Sequence, residues 1–212
     1  VGESGSTEVE LRELILADIR ERRVDAVVFE DYAKGLLTGT FIQSVTDVCV
    51  REGLICALDP HPSNAFHIQG LTLFTPNRSE AFALAGRFFQ PGILPLERDA
   101  ALMEVGASLR KSWSVEHLLI TLGAEGMALF KDNGCVHHIP TRAQEVFDVS
   151  GAGDTVTASF VLALLGGAAG ECAAAFANHA AGLVVGKIGT VAVTSSELHS
   201  HLEQEHAEGR LS

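Results

Sequence analysis

The sequence has no basic stripe. Lys and Arg number 15 against 27 Asp and Glu, for a formal net charge of -12. A chain without clustered cations cannot release counterions from a phosphate backbone, which excludes nucleic acid as a partner. Cysteine is sparse: Cys49, Cys56, Cys135 and Cys172 are scattered, with no C-x-x-C pair. Reduced, mostly buried thiols in a cytoplasmic protein are the expectation, ahead of disulfides or zinc. Long hydrophobic runs are also missing. Thr155 to Gly170 and Cys172 to Gly186 are uncharged, yet each falls short of the roughly 20 residues that a spanning helix needs. Asp154, Glu171 and Lys187 interrupt them, so two paired core helices are expected and no membrane span. No signal peptide is recognisable. The chain opens at Val1, Met103 and Met127 are its only methionines, and it reads as a piece of a longer translation product.

Several motifs are absent. There is no G-x-x-x-x-G-K-[ST] loop, which excludes a P-loop nucleotide site. The G-x-G at Gly151 lacks the third glycine of a dinucleotide fingerprint, and Asp154 beside it would repel a pyrophosphate. A nicotinamide-dependent dehydrogenase is excluded on those grounds. His137-His138 and the histidines at 199, 201 and 206 have no third partner at ligand spacing, so a histidine metal site is not expected. No internal repeat or low-complexity segment occurs.

What is present is an alternation of apolar β-type runs and helical patterns. With 212 residues, 47% hydrophobic and 20% charged, the chain can bury a core as one α/β domain over residues 1–212. Thr7 and Glu10 fit a capping box before a helical stripe of Leu11, Leu14, Ile15 and Ile19. Strands buried on both faces are expected at 24–29 and 54–58, a third at 71–74 and a fourth at 117–121. Helices are expected at about 40–52, 79–85, 97–113 and 195–206. Residues 127–131 and 135–139 flank Asp132-Asn-Gly134, a hairpin signal. Such alternation implies βαβ units, a mainly parallel sheet and a late antiparallel hairpin.

In sheets of this kind, ligands collect at the carboxyl ends of the strands. Polar residues follow four of the expected strands directly: Asp31 and Lys34, Asp59, Asn77 and Glu80, and Thr121 with Gly123. Gly126 completes the small-residue pattern T-x-G-x-x-G. The stretch Asp148 to Thr155, DVSGAGDT, has a second kind of signal. Gly151, Ala152 and Gly153 join a strand-like run (145–149) to an apolar helix. Unpaired N–H groups at such a helix start form an anion hole. Asp154 in the same turn is either a helix cap or a base facing the partner of a bound phosphate. An anion hole beside a carboxylate suits phosphoryl transfer. Asn77 and Glu80, three apart at a helix start, either cap that helix or hold a hydrated Mg²⁺. Asn178 and His179, on an otherwise apolar helix, are core polar groups or, for Asn178, a partner for a purine edge.

DVSGAGDT resembles the second signature of the ribokinase-like (PfkB) carbohydrate kinases. Three further stretches follow in the family's order: NRSE at 77–80, TLGAEG at 121–126 and FANHAAG at 176–182. Within the family, EDYAKG at 30–35, PTRAQEVFDVSGAGDT at 140–155 and AAGLVVGKIGT at 180–190 are most similar to the heptose 7-phosphate kinases of ADP-heptose synthesis. The resemblance implies a three-layer ribokinase-like sandwich whose N-terminal part, with the sugar-binding glycines and lid strands, has no counterpart here. It also implies ATP and Mg²⁺ as cofactors. Asp154 would be the general base and 151–153 the anion hole. Asn77, Glu80, Thr121, Gly123, Gly126 and Asn178 would lie on the nucleotide side, with Glu80 reaching the metal through water. Asp31, Lys34 and Asp59 fall to the substrate side by their strand-end positions. The acceptor would be the anomeric hydroxyl of a heptose 7-phosphate, giving a 1,7-bisphosphate for the lipopolysaccharide inner core. Other sugar or nucleoside kinases of the family, or an inert nucleotide-binding fragment, are the alternatives. His61 stands where a heptose kinase is expected to carry lysine. Apolar surface left by the missing segment would favour a homodimer.

Overall fold

The computed structural model of the chain describes residues 3–64, 66–131, 134–142 and 147–208. Its centre is a six-stranded sheet in the order β1 (Ala26–Glu30), β2 (Ile55–Asp59), β3 (Leu73–Phe74), β4 (His117–Thr121), β5 (Met127–Phe130) and β6 (Val136–Ile139). The first four strands run parallel, while β5 is antiparallel to both of its neighbours. The mainly parallel sheet and the late hairpin are therefore as expected. The hairpin's turn residues Asp132 and Asn133 lie outside the described residues.

Helices cover both faces. On one lie α1 (Glu3–Arg20), α2 (Gly39–Glu52), α3 (Arg78–Leu84) and α4 (Ala100–Trp113). They bury Ile19, Phe41, Ile42, Phe82, Leu102 and Trp113 against Phe29, Leu58, Phe74 and Ile120. On the other lie α5 (Ala152–Leu165) and α6 (Gly170–Val185). Their Phe160, Ala173, Ala174 and Ala177 meet Ala57, Leu73, Leu119 and Leu129. The period-2 alternation of each strand therefore divides its side chains between two cores. A last helix, α7 (Ser195–Ala207), packs on α6. Among the described residues no helix is long and apolar enough to cross a membrane.

Four expectations need correction. Helix α1 begins at Glu3, so Thr7 lies inside it and no capping box forms there; the weak helix formers before Thr7 lower propensity without breaking a helix. Strand β1 is not buried on both faces: it is the sheet's edge, and Val28 is 37% exposed. The run before Gly151 is not a strand. Phe147 and Asp148 give their N–H groups to Val185 O at 2.8 and 3.3 Å, which docks the segment on the end of α6; residues 145–146 lie outside the described residues. Of the thiols, Cys49 and Cys56 are buried but Cys135 and Cys172 are exposed.

Candidate active site

Parallel pairing brings the carboxyl ends of β1 to β4 to one rim. Glu30 and Asp59 are register partners there, and Asn77 bridges to Thr121 just past β3 and β4. Because Ala26, Glu30, Ile55, Ala57 and Asp59 share strand parity, both acids project toward α5. Helix α5 starts at the same rim. A hydrogen bond between Thr75 Oγ1 and Thr157 Oγ1 (2.9 Å) ties it to the end of β3.

The glycine turn has the conformation that the sequence demands. Gly151 is the N-cap at φ +77°, a left-handed geometry in which any side chain would be strained, and it makes no side-chain cap bond. Asp148 braces the turn, accepting from Ser150 N at 2.9 Å and Gly189 N at 3.2 Å; those bonds hold its carboxyl below the usual carboxylate range. Ala152 N–H turns back to Val149 O at 3.2 Å, so of the three anion-hole residues it is internally engaged. Gly153 is exposed, and a Cβ there would lie 3.5 Å from Asp59 Oδ2. Asp154 is not the cap. It sits in the first turn, half-buried, and its Oδ2 accepts from the Tyr32 hydroxyl at 2.8 Å.

Three carboxylates, Glu30, Asp59 and Asp154, offer oxygens that all lie within 4.8 Å of one another. Glu30 and Asp59 are also hydrogen-bonded. Burial, then the charges of Asp59 and Asp154, push the Glu30 carboxyl up to about 8. Burial, followed by the charge of Glu80, raises Asp59 in the same direction. Such a cluster needs a proton or a cation. Hard oxygen donors at this spacing suit a divalent ion such as Mg²⁺.

On the other side of the Gly151–Gly153 turn lies a cavity of about 500 Å³, within the range usual for small-molecule sites. Thr121, Gly123, Gly126, Gly153 and Asn178 all line it, with apolar walls from Met127, Val156 and Val185. Gly126 is required: at φ +90° its Cβ would run into the Ile139 carbonyl. Asn178 is buried and its Nδ2 donates to Pro140 O at 2.7 Å. An apolar slot edged by an amide fits a purine base.

Asn77 and Glu80 form a capping box for α3: Asn77 Oδ1 accepts from Glu80 N at 3.0 Å, and Glu80 Oε2 accepts from Asn77 N at 2.8 Å. Glu80 nevertheless faces the acid cluster closely enough to raise Asp59, and burial raises its own carboxyl. Asp31 is consumed locally. Asn64 Nδ2 donates to both of its oxygens, at 3.1 and 2.8 Å, and Ala33 N donates to Oδ1 at 2.8 Å. Lys34 is exposed on the same loop. Sequence reasoning missed Glu30, Tyr32 and Asn64. Strand parity and the register with Asp59 would have found Glu30. Tyr32 and Asn64 act through contacts 122 and 33 residues distant, for which local sequence holds no signal. Away from the rim, His179 Nδ1 and His201 Nε2 pair at 3.1 Å between α6 and α7.

Residues 42–197 match the pfkB family carbohydrate kinase profile. The bifunctional protein HldE of Trichlorobacter lovleyi is 41% identical over 182 residues, covering 86% of this chain and 36% of that protein. The bifunctional protein HldE of Geobacter sulfurreducens is 40% identical over 187 residues, covering 88% and 37%. The chain thus spans well under half the length of these relatives. Among solved structures, the fold matches Arabidopsis thaliana ribokinase complexed with ribose and ATP, at a TM-score of 0.71 and 22% identity over 92% of this chain and 59% of that one. It also matches Escherichia coli phosphofructokinase-2 in complex with potassium, at 0.75 and 15% over 93% and 61%.

Proposed function

The chain belongs to the pfkB family of carbohydrate kinases, and we propose that it is the nucleotide-binding portion of a kinase that phosphorylates a sugar phosphate from ATP. The observation that carries this reading is the placement of one turn. Gly153 lines the apolar cavity while Asp154, the next residue, faces Glu30 and Asp59. A nucleotide and an acceptor held on the two sides would meet at that turn.

The cavity takes the base and ribose, with Thr121, Gly123 and Gly126 allowing close backbone approach and Asn178 presenting its amide. The first turn of α5 supplies N–H groups and the helix dipole to phosphate oxygens. Asp59 and Glu30, with Glu80 reaching through water, would hold a Mg²⁺ near the rim, and the ion would supply charge neutralisation for the phosphates. Asp154 accepts the acceptor's hydroxyl proton as the phosphoryl group is transferred. Lys34, exposed at the rim, offers its charge to an anionic acceptor; Asp31 serves the substrate side by fixing the loop.

For the acceptor we propose D-glycero-D-manno-heptose 7-phosphate, phosphorylated at the anomeric hydroxyl. Its support is the similarity of residues 30–35, 140–155 and 180–190 to heptose kinases, together with the relatives near 40% identity. Phosphoryl transfer from Mg-ATP to that sugar phosphate, compared with ribose, fructose and adenosine, tests it. A 1,7-bisphosphate as the preferred product supports the assignment. Preference for another acceptor moves the chain to another branch of the family, and nucleotide binding without transfer to any acceptor makes it an inert nucleotide-binding fragment.

A further inference from the structure

We propose that Tyr32 is a positioning residue for Asp154, holding one carboxylate oxygen so that the other receives the acceptor's proton. The inference rests on the kinase reading above. Tyr32 Oη donates to Asp154 Oδ2 at 2.8 Å across 122 residues of sequence. The residues on either side of Tyr32 are held by hydrogen bonds. Asp31 N donates to Asp59 O at 3.0 Å, Asn64 grips both oxygens of Asp31, and Ala33 holds a left-handed φ of +52°, closed by its own N–H on Asp31. A tyrosine that is 58% exposed is therefore aimed by backbone and carboxylate bonds, not by burial.

With the Tyr32 hydroxyl donating to Oδ2, Oδ1 is the oxygen left to act as base. As transfer proceeds, the acceptor oxygen forms the new bond to phosphorus, its proton passes to Oδ1, and the bond to the nucleoside diphosphate breaks with the electron pair leaving on that product. A carboxylate free to rotate would lose part of this alignment.

Tyr32 is the chain's one tyrosine, so a ring-labelled phenol gives a single magnetic-resonance signal. Asp154→Asn is expected to shift that signal, because it removes the carboxylate that accepts from the phenol, with Trp113 fluorescence reporting that the fold persists. Tyr32→Phe should lower kcat about tenfold with KM for ATP unchanged, and should have no further effect in the Asp154→Asn background. A signal indifferent to Asp154→Asn overturns the contact. Full kcat in Tyr32→Phe, or the same loss in both backgrounds, overturns the positioning role while leaving the kinase reading intact. A wild-type chain that phosphorylates no acceptor, although its phenol responds to Asp154→Asn, overturns the kinase reading and the catalytic part of this inference with it.

Discussion

Three carboxylates with oxygens inside 4.8 Å repel one another, and at this rim a proton or a divalent ion must screen them. Glu30 carries the largest consequence. Its folded-state carboxyl is raised from 4.5 to about 8 by burial and by its acidic neighbours, so the folded chain keeps a proton that the unfolded chain releases. That stabilisation is present below about pH 4.5 and is lost as the pH rises through about 8. Melting temperature in metal-free buffer should therefore fall across that window. Glu30→Gln should flatten the fall, and Mg²⁺ should counter it at the alkaline end. A profile identical in wild type and Glu30→Gln contradicts the assignment. At Asp154 the expectation is kinetic: Asp154→Asn should cut phosphoryl transfer about 10²- to 10⁴-fold while Mg-ADP affinity measured by calorimetry is retained. The acids at strand ends were legible because polarity changes abruptly after an apolar run. Their partners were not, since Tyr32 and Asn64 acquire meaning only when distant segments meet.

Among the elements, α3 and α4 show how the rim is braced from behind. Asp99 caps α4 through Leu102 N at 3.0 Å and pairs with Arg78 at 2.7 Å. Both side chains are nearly inaccessible. Arg78 also donates to Gln90 O and Pro91 O, which ties the segment between the helices to the residue following Asn77. Removing one partner strands a buried charge, and Asp99→Ala should cost about 3–5 kcal/mol in denaturant unfolding. A loss under about 1 kcal/mol would mean that the pair is screened by solvent. Asn77 and Glu80 had two readings in the sequence, cap or metal partner. The capping box is formed, and Glu80 still raises Asp59, so one residue can serve both. The helices expected at 40–52 and 97–113 correspond to α2 and α4, and the uncharged run 172–186 to most of α6. The start of α1 does not match its expectation, because a Thr-x-x-Glu pattern signals a cap only where the chain before it leaves the helix.

For the whole molecule, the order of strands and the two-faced core follow from alternation: successive strand residues enter opposite clusters. The edge position of β1 was invisible in its composition, since Ala26 to Phe29 is as apolar as a central strand and burial depends on what lies beside it. The apolar cavity gathers residues from 121 to 185, a convergence that family motifs indicated and that local patterns alone left weak. The most direct test is a calorimetric titration of this 212-residue chain with Mg-ADP, beside Gly182→Leu. Leucine there favours α6 by up to about 1 kcal/mol and fills the cavity that Gly182 lines. Saturable one-to-one binding in the wild type, abolished in a folded Gly182→Leu, is the predicted result. Absence of binding in the wild type, or equal affinity in both proteins, would contradict a nucleotide site in that cavity.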